Sequence, residues 1–144
     1  MEKVVRLFST LFFTGYIKKL PGTVASFLSF IILWFTYTGS YVNFSIFLVI
    51  TALSILVCDQ AEKIFANKDD QRIVLDEFVG SFFSIMFLPK IVWLYVVSFI
   101  LFRIFDIKKP LFIKKSQKIK GGFGIVFDDV LAGLLTTIFM IFVI

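Results

Sequence analysis

Charge in this chain is confined to the gaps between apolar runs, and that segregation limits what it can fold into. Five apolar stretches, Val24–Tyr37, Val42–Cys58, Phe78–Leu88, Ile91–Phe105 and Val130–Ile144, hold no charged residue except Arg103. Each is shorter than the roughly 20 residues that a fully apolar span needs, so the helices extend through their polar flanks to cross a bilayer. Hydrophobic residues make up 59% of the 144, above the roughly 45–50% of soluble domains. The expected fold is all-α: a polytopic membrane helical bundle of about five short hydrophobic helices plus an N-terminal interfacial helix, forming one domain over residues 1–144. The basic then apolar start, "MEKVVRLFSTLFFTG", has a short apolar part and no small-residue cleavage site, so it reads as that retained interfacial helix rather than a signal peptide.

The net charge of +5 does not point to nucleic acid. The Lys and Arg residues sit beside apolar runs, which favours an anionic lipid surface. Histidine is absent, which removes histidine-based nucleophile, base and ligand schemes. The single Cys58 forms no intrachain disulfide and reads as a buried structural thiol.

Basic residues set the orientation. With a cytoplasmic N-terminus, Lys90 alone among the Lys and Arg residues falls on the far side, and the chain runs N-in, C-out. Trp34, Tyr37, Tyr41, Trp93 and Tyr95 gather near the proposed outer turns at Gly39–Ser40 and Pro89–Lys90, where amphipathic rings prefer to sit. A re-entrant hairpin over residues 78–105 is the alternative to two spans there.

The acids are as one-sided as the bases. Every Asp and Glu lies at a predicted cytoplasmic end. At a rise of about 1.5 Å per residue, Asp76 lies roughly 20 Å from Pro89, Asp106 roughly 26 Å from that same turn and Asp129 roughly 22 Å from the C-terminus. Three helices thus deliver carboxylates to one layer. Ionisable groups at such depth are expensive unless they pair, bind a cation or line a wet cavity, so a functional site is the default hypothesis.

Four motifs carry that site. In "DDQRIVLDEFVG" (69–80), Asp76 and Glu77 point about 100° apart on a helix, and Gly80, one turn beyond Asp76, permits a close helix approach. The competing reading is acids complementing a helix dipole. In "RIFDIKKP" (103–110), Arg103 and Asp106 share a helix face; they pair with each other, or one holds a phosphate and the other a cation. "GGFGIVFDDVLAG" (121–133) offers glycines, among them Gly122 and Gly124, that permit backbone close to a ligand. It then supplies Asp128 and Asp129, and the Ala132–Gly133 pair for tight packing. In "LPGTVAS" (20–26), Pro21, Gly22 and Thr23 form a turn into the first span, with Thr23 or Ser26 as a cap or a phosphate contact. Many carboxylates without His indicate a hard, oxygen-ligated cation, with Mg²⁺ expected. Chemistry on the phosphate of an anionic lipid headgroup follows from that pairing of cation and bases.

These four motifs, in this order, resemble those of the phosphatidylglycerophosphatase A family, from about residue 10 onward. The resemblance implies a Mg²⁺-dependent phosphomonoesterase of the bacterial cytoplasmic membrane, converting phosphatidylglycerophosphate to phosphatidylglycerol and phosphate on the cytoplasmic side. It places the family's acids on Asp69, Asp76, Glu77, Asp106, Asp128 and Asp129, its bases on Arg103 and Lys109, and its turn on Pro21, Gly22 and Thr23. Asp70 and Lys108 fall outside the pattern, and the first motif departs from it, with "IKKL" before "PGT" and Ala25 after. The expected roles are Mg²⁺ binding by Asp76, Glu77, Asp128 and Asp129, and phosphate binding by Arg103, Lys109 and Thr23. Asp106 is expected to position or deprotonate an attacking water. The rival mechanism is an aspartyl-phosphate on Asp129 or Asp76. Asp69, Pro21, Gly22, Gly80, Gly122, Gly124 and Gly133 are expected to support the site.

Two other functions compete. A cation- or proton-coupled transporter would distribute charge through its spans, whereas the outer halves here carry no acid. A CDP-lipid headgroup transferase would need an Asp-Gly-x-x-Ala-Arg pattern with later paired acids, which the chain lacks.

Overall fold

The computed structural model describes residues 1–36, 40–67, 70–110, 113 and 119–144. Among them are six helices and no strand: α1 (Glu2–Ser9), α2 (Pro21–Thr36), α3 (Ser40–Phe65), α4 (Leu75–Ile85), α5 (Val92–Lys108) and α6 (Gly121–Ile141), with a 3₁₀ turn at Thr14–Tyr16. The all-helical expectation holds. A helix satisfies its own backbone polar groups, which apolar surroundings demand. Buried hydroxyls are satisfied in the same local way: Ser26 donates to the Gly22 carbonyl at 2.8 Å and Thr136 to the Ala132 carbonyl at 2.8 Å.

Pro21 opens α2, a position where its missing N–H costs nothing. The turn expected at residues 21–23 lies one residue earlier, because Leu20, at φ 53°, makes the bend and Pro21, Gly22 and Thr23 are already helical. The Pro89–Lys90 turn is present between α4 and α5, where the Ile91 N–H donates to the Pro89 carbonyl at 2.7 Å. Residue 39 of the other expected turn lies outside the described residues.

Two helices are long and apolar enough to cross a membrane, Val42–Phe65 and Gly121–Ile141. α4 has 11 residues, about 16 Å of helix, little more than half the roughly 30 Å hydrocarbon core. The five hydrophobic helices expected after the N-terminal one are present, and helix length and composition qualify two of them as spans. A large apolar surface is nonetheless exposed. Phe44, Leu48, Val49, Leu53 and Leu56 of α3 are all exposed, as are Val92, Trp93, Val96 and Ile100 of α5, a larger continuous apolar surface than water tolerates.

α4 sits at the centre, touching α2, α3, α5 and α6. Its direction follows from three contacts with α6. Asp76 faces Asp129, a Cβ on Gly80 would lie 2.5 Å from the Asp129 carbonyl oxygen, and the Thr137 hydroxyl donates to the Phe83 carbonyl at 3.2 Å. Positions ascend together on both helices, so α4 and α6 run parallel. Gly80 and Gly133 are what let these backbones meet, since a Cβ on Gly133 would collide with the Gly80 carbonyl. α2 also runs parallel to α4, with Gly22 against Glu77 and Ser29 hydrogen-bonded to Ser81. α5 runs the other way, pairing Phe27 with Phe99 and Phe30 with Tyr95. Consequently the start of α2, the start of α4, the end of α5 and the third turn of α6 meet at one end of the bundle. At the opposite end Trp34 packs edge-on to Tyr95 and carries Lys90 over its face at 5.2 Å, an arrangement suited to a membrane–water boundary.

Candidate functional site

The meeting point of these four helices encloses a cavity of roughly 430 Å³. Asp76 and Glu77 enter it from the first turn of α4, Asp106 from the last turn of α5 and Asp129 from the third turn of α6. The convergence of carboxylates from three helices, expected from their spacing, is present in the structure. Asp76, Glu77 and Asp129 each offer one oxygen, and the three oxygens lie within 4.8 Å of one another. Asp129 is only 2% exposed. Its Oδ2 and the Oε2 of Glu77 are buried without a hydrogen-bond partner. Buried acceptors left in this state are costly unless something fills them. A small hard cation fits this donor set by charge, ligand type and spacing.

The bases are held by other carboxylates. Arg103 Nη1 binds Asp106 Oδ2 at 2.5 Å and reaches the Ser26 hydroxyl at 3.5 Å. Its Nε is buried and has no acceptor, so one donor of the fork is left for a ligand. Lys109 Nζ binds Asp128 Oδ2 at 2.8 Å. That reach depends on the backbone of Lys109 itself, which ends α5 in the left-handed conformation at φ 41°, a strained state for a side-chain-bearing residue. Burial alone would lower the Lys109 pKa, but the hydrogen bond to Asp128 and the charge of Asp129 outweigh it and raise it. The lysine is charged at any physiological pH.

Several expected site residues are placed differently. Asp128 does not join the three-carboxylate cluster or line the cavity. It is turned to Lys109 because residues 128 and 129 point about 100° apart on one helix. Thr23 does not line the cavity either; Pro21 and Gly22 do, and Gly22 is small because a Cβ there would collide with the Glu77 carboxylate. Gly122 and Gly124 approach protein rather than the cavity. A Cβ on Gly122 would strike the α3 backbone at Ile55 and Asp59, and one on Gly124 would strike Ile119. Asp106 was expected to handle water, and its Oδ2 is occupied by Arg103. Asp69 lies outside the described residues.

Lys18, Asp70 and Gln71 also line the cavity and were missed. Asp70 accepts from Arg72 Nε at 2.7 Å and from the Arg72 backbone N–H at 3.0 Å. Those bonds hold its carboxyl well below the usual range. Arg72 in turn lies 4.2 Å from the centre of the Phe65 ring. Lys18 gave no signal beyond its place two residues before the Leu20 bend; among the described residues it forms no ion pair.

A cavity with buried, unsatisfied acceptors beside a buried, unsatisfied guanidinium donor is built for a cation and an anion together. Comparison with known proteins agrees in kind. The sequence profile of phosphatidylglycerophosphatase A matches residues 7–144. The chain belongs to that family. It is 37% identical over 140 residues to a phosphatidylglycerophosphatase A of Haemophilus influenzae, covering 93% of this chain and 85% of that one. The Escherichia coli phosphatidylglycerophosphatase A is 32% identical over 138 residues, covering 92% and 78%. A Bacteroides thetaiotaomicron protein provisionally named a phosphatidylinositol-3-phosphatase is 36% identical over 142 residues, covering 92% and 88%. No solved structure matches the chain.

Proposed function

We propose that this family member is a Mg²⁺-dependent phosphatase that removes the terminal phosphomonoester of phosphatidylglycerophosphate, leaving phosphatidylglycerol and phosphate. The observation that carries the reading is the Asp76–Glu77–Asp129 cluster, in which Glu77 Oε2 and Asp129 Oδ2 are buried without a hydrogen-bond partner, set in one cavity with Arg103 and Lys109. Family membership supplies the reaction class, and the names of two relatives supply the lipid.

Asp76, Glu77 and Asp129 would hold the cation, which when bound supplies charge stabilisation at a phosphoryl oxygen and a lowered pKa for water. The chain's own groups do the rest. Arg103 Nε donates to a phosphate oxygen, while the Asp106 contact keeps the guanidinium plane fixed. Lys109, held by Asp128, and Lys18 at the cavity mouth neutralise the remaining phosphate charge. A carboxylate oxygen of Glu77 or Asp129 that is not on the cation would accept the proton of an attacking water as its oxygen bonds to phosphorus, and would return that proton to the glycerol oxygen as the ester P–O bond breaks. In the rival mechanism Asp129 or Asp76 attacks phosphorus directly, and solvent ¹⁸O would then appear in that carboxylate.

The enzyme is proposed to sit in the bacterial cytoplasmic membrane, multi-pass, with the cavity on the cytoplasmic side. Support comes from the one-sided Lys and Arg residues and the exposed apolar faces of α3 and α5.

The test is phosphate release by purified protein in detergent, from phosphatidylglycerophosphate and from phosphatidylinositol 3-phosphate, with Mg²⁺ or EDTA, for wild type and Asp76→Asn. Release from the first substrate that needs both Mg²⁺ and Asp76 supports the proposal. A preference for the inositol lipid transfers the substrate to the reading suggested by the Bacteroides relative's name. No release from either by folded, Mg²⁺-loaded protein withdraws the assignment and leaves the cation transporter in front.

A further inference from the structure

A second cavity, of roughly 380 Å³, opens between α2 and α5. Its walls are Phe27, Phe30, Trp34 and Phe35 on one side and Val96 and Phe99 on the other, among other apolar residues. It uses the same two helices that bound the polar cavity through Gly22 and Arg103. The two cavities are consecutive. On α5, Phe99 precedes Arg103 by about one turn, and on α2, Phe27 follows Gly22 by about 7 Å. The Arg103–Ser26 contact lies at the boundary.

Length fits as well as position. From Phe27 to Phe35 the cavity follows about 12 Å of α2, close to the roughly 15 Å of hydrocarbon in one leaflet. It is open to the lipid side, where Phe27, Phe35, Val92 and Val96 are each more than half exposed. At its far end stands Trp34 with Lys90 over its ring. Groove walls are tied together by edge-on rings, Phe30 with Phe99 at 5.4 Å and Trp34 with Tyr95 at 5.2 Å, so the slot is pre-formed.

We propose that the α2–α5 groove is the acyl-chain subsite, holding one fatty-acyl chain of the substrate while its phosphorylated headgroup occupies the polar cavity. This rests on the lipid-phosphatase reading above. Substrate then enters sideways from the bilayer between α2 and α5, and the glycerol backbone crosses at Ser26 and Arg103. Lipid tails are as apolar as the groove, so moving a chain into it gains little from water exclusion. Its value is in fixing the headgroup against the cation site, an orientational gain.

The test compares dioleoyl phosphatidylglycerophosphate with its deacylated counterpart, glycerophosphoglycerophosphate, using wild type, Val96→Trp and Ile31→Trp. Both side chains line the groove from lipid-exposed positions, so the larger ring fills the slot without entering the core. Wild type is expected to prefer the acylated substrate. Each variant is expected to lose about 10-fold in kcat/KM on it, the scale of a misfitted apolar pocket, and to keep its rate on the deacylated one. Equal losses on both substrates, or none on either, would overturn the subsite. Failure of wild type to release phosphate from either substrate sinks the phosphatase reading instead. The groove is then decided by photolabelling in phosphatidylcholine nanodiscs with phosphatidic acid carrying a diazirine on one chain. Adducts concentrated on residues 27–35 and 92–99 uphold it; equal labelling of residues 48–56 on the outer face of α3 overturns it.

Discussion

Neutralising Asp129 is expected to make the cation-free protein more stable while abolishing its activity. Asp76, Glu77 and Asp129 present oxygens within 4.8 Å of one another. At that separation and an effective dielectric near 20, two unit charges repel by about 3.5 kcal/mol. Asp129 takes part in two such pairs. Relaxation of water in the cavity reduces the sum to on the order of 1–2 kcal/mol, the usual scale of a single substitution. Asp129→Asn keeps the side-chain shape and removes the charge, so in EDTA it should melt higher, by roughly 2–4 °C per kcal/mol. Mg²⁺ at about 100 times its Kd stabilises wild type by about 2.7 kcal/mol and reverses the order, because the variant has lost a ligand. The two tryptophans, Trp34 and Trp93, report melting in detergent, and phosphate release is followed on the same samples. A wild type that is more stable than Asp129→Asn in EDTA and indifferent to Mg²⁺ would refute the reasoning, since the carboxylates would then form a satisfied structural network.

Lys109→Met should lower the melting temperature, because it removes an ion-pair partner of the Asp128 carboxylate, which is 4% exposed. Lys109→Met with Asp128→Leu should restore the melting temperature without restoring activity; recovery of both would remove Lys109 from the phosphate site. Gly80→Ala should cost at least about 1–3 kcal/mol by overpacking α4 on α6. It should also lower kcat by roughly 100-fold through a shift of about 1 Å between Asp76 and Asp129. Gly122→Ala, which overpacks α6 on α3 away from the cavity, should show the melting loss with a much smaller kinetic one. The Asp70 pKa is depressed by Arg72, so this pair stabilises the fold fully above the ordinary carboxylate pKa of about 3.9 and less as pH falls below it. The Arg72 side chain is 37% exposed, so solvent screening keeps the effect small. Asp70→Asn should therefore lower the melting temperature equally at pH 5 and pH 8, and a loss confined to pH 8 would contradict the assignment.

Helix class and the carboxylate layer were legible because both depend on one-dimensional pattern. Apolar runs and the sidedness of charge decide which ends lie together, and rise per residue then brings Asp76, Asp106 and Asp129 to a common depth. The pattern Asp-x-x-x-Gly occurs twice, at Asp76–Gly80 and Asp129–Gly133. Each glycine was read as a packing surface, and the two prove to pack on each other. Partner choice was not legible. Whether Asp128 or Asp129 faces the cluster depends on the rotation of α6, and the reach of Lys109 to Asp128 depends on a left-handed residue at the end of α5. Nothing in "DIKKP" specifies that conformation. Gly122 looked like part of a ligand loop, but a Cβ there would meet α3, and its N–H lies 3.4 Å from the Asp59 carboxylate. A tertiary contact had taken the place of a local cap.

That distinction also separates the two readings of the acids. Carboxylates in the first turn of a helix commonly complement its dipole, and Asp76 and Glu77 are in the first turn of α4. Yet the N-cap of α4 is Val74, with no side-chain capping bond, and Glu77 has an oxygen with no partner at all. Asp129 is the ninth residue of α6, beyond the reach of the free N–H groups of its first turn. Capping accounts for neither. The bundle instead spends two glycines to bring Asp129 against α4, and a third, Gly22, to admit Glu77. Close approach that concentrates like charge is costly in the absence of a ligand, so the packing is intelligible once a cation occupies the site it creates.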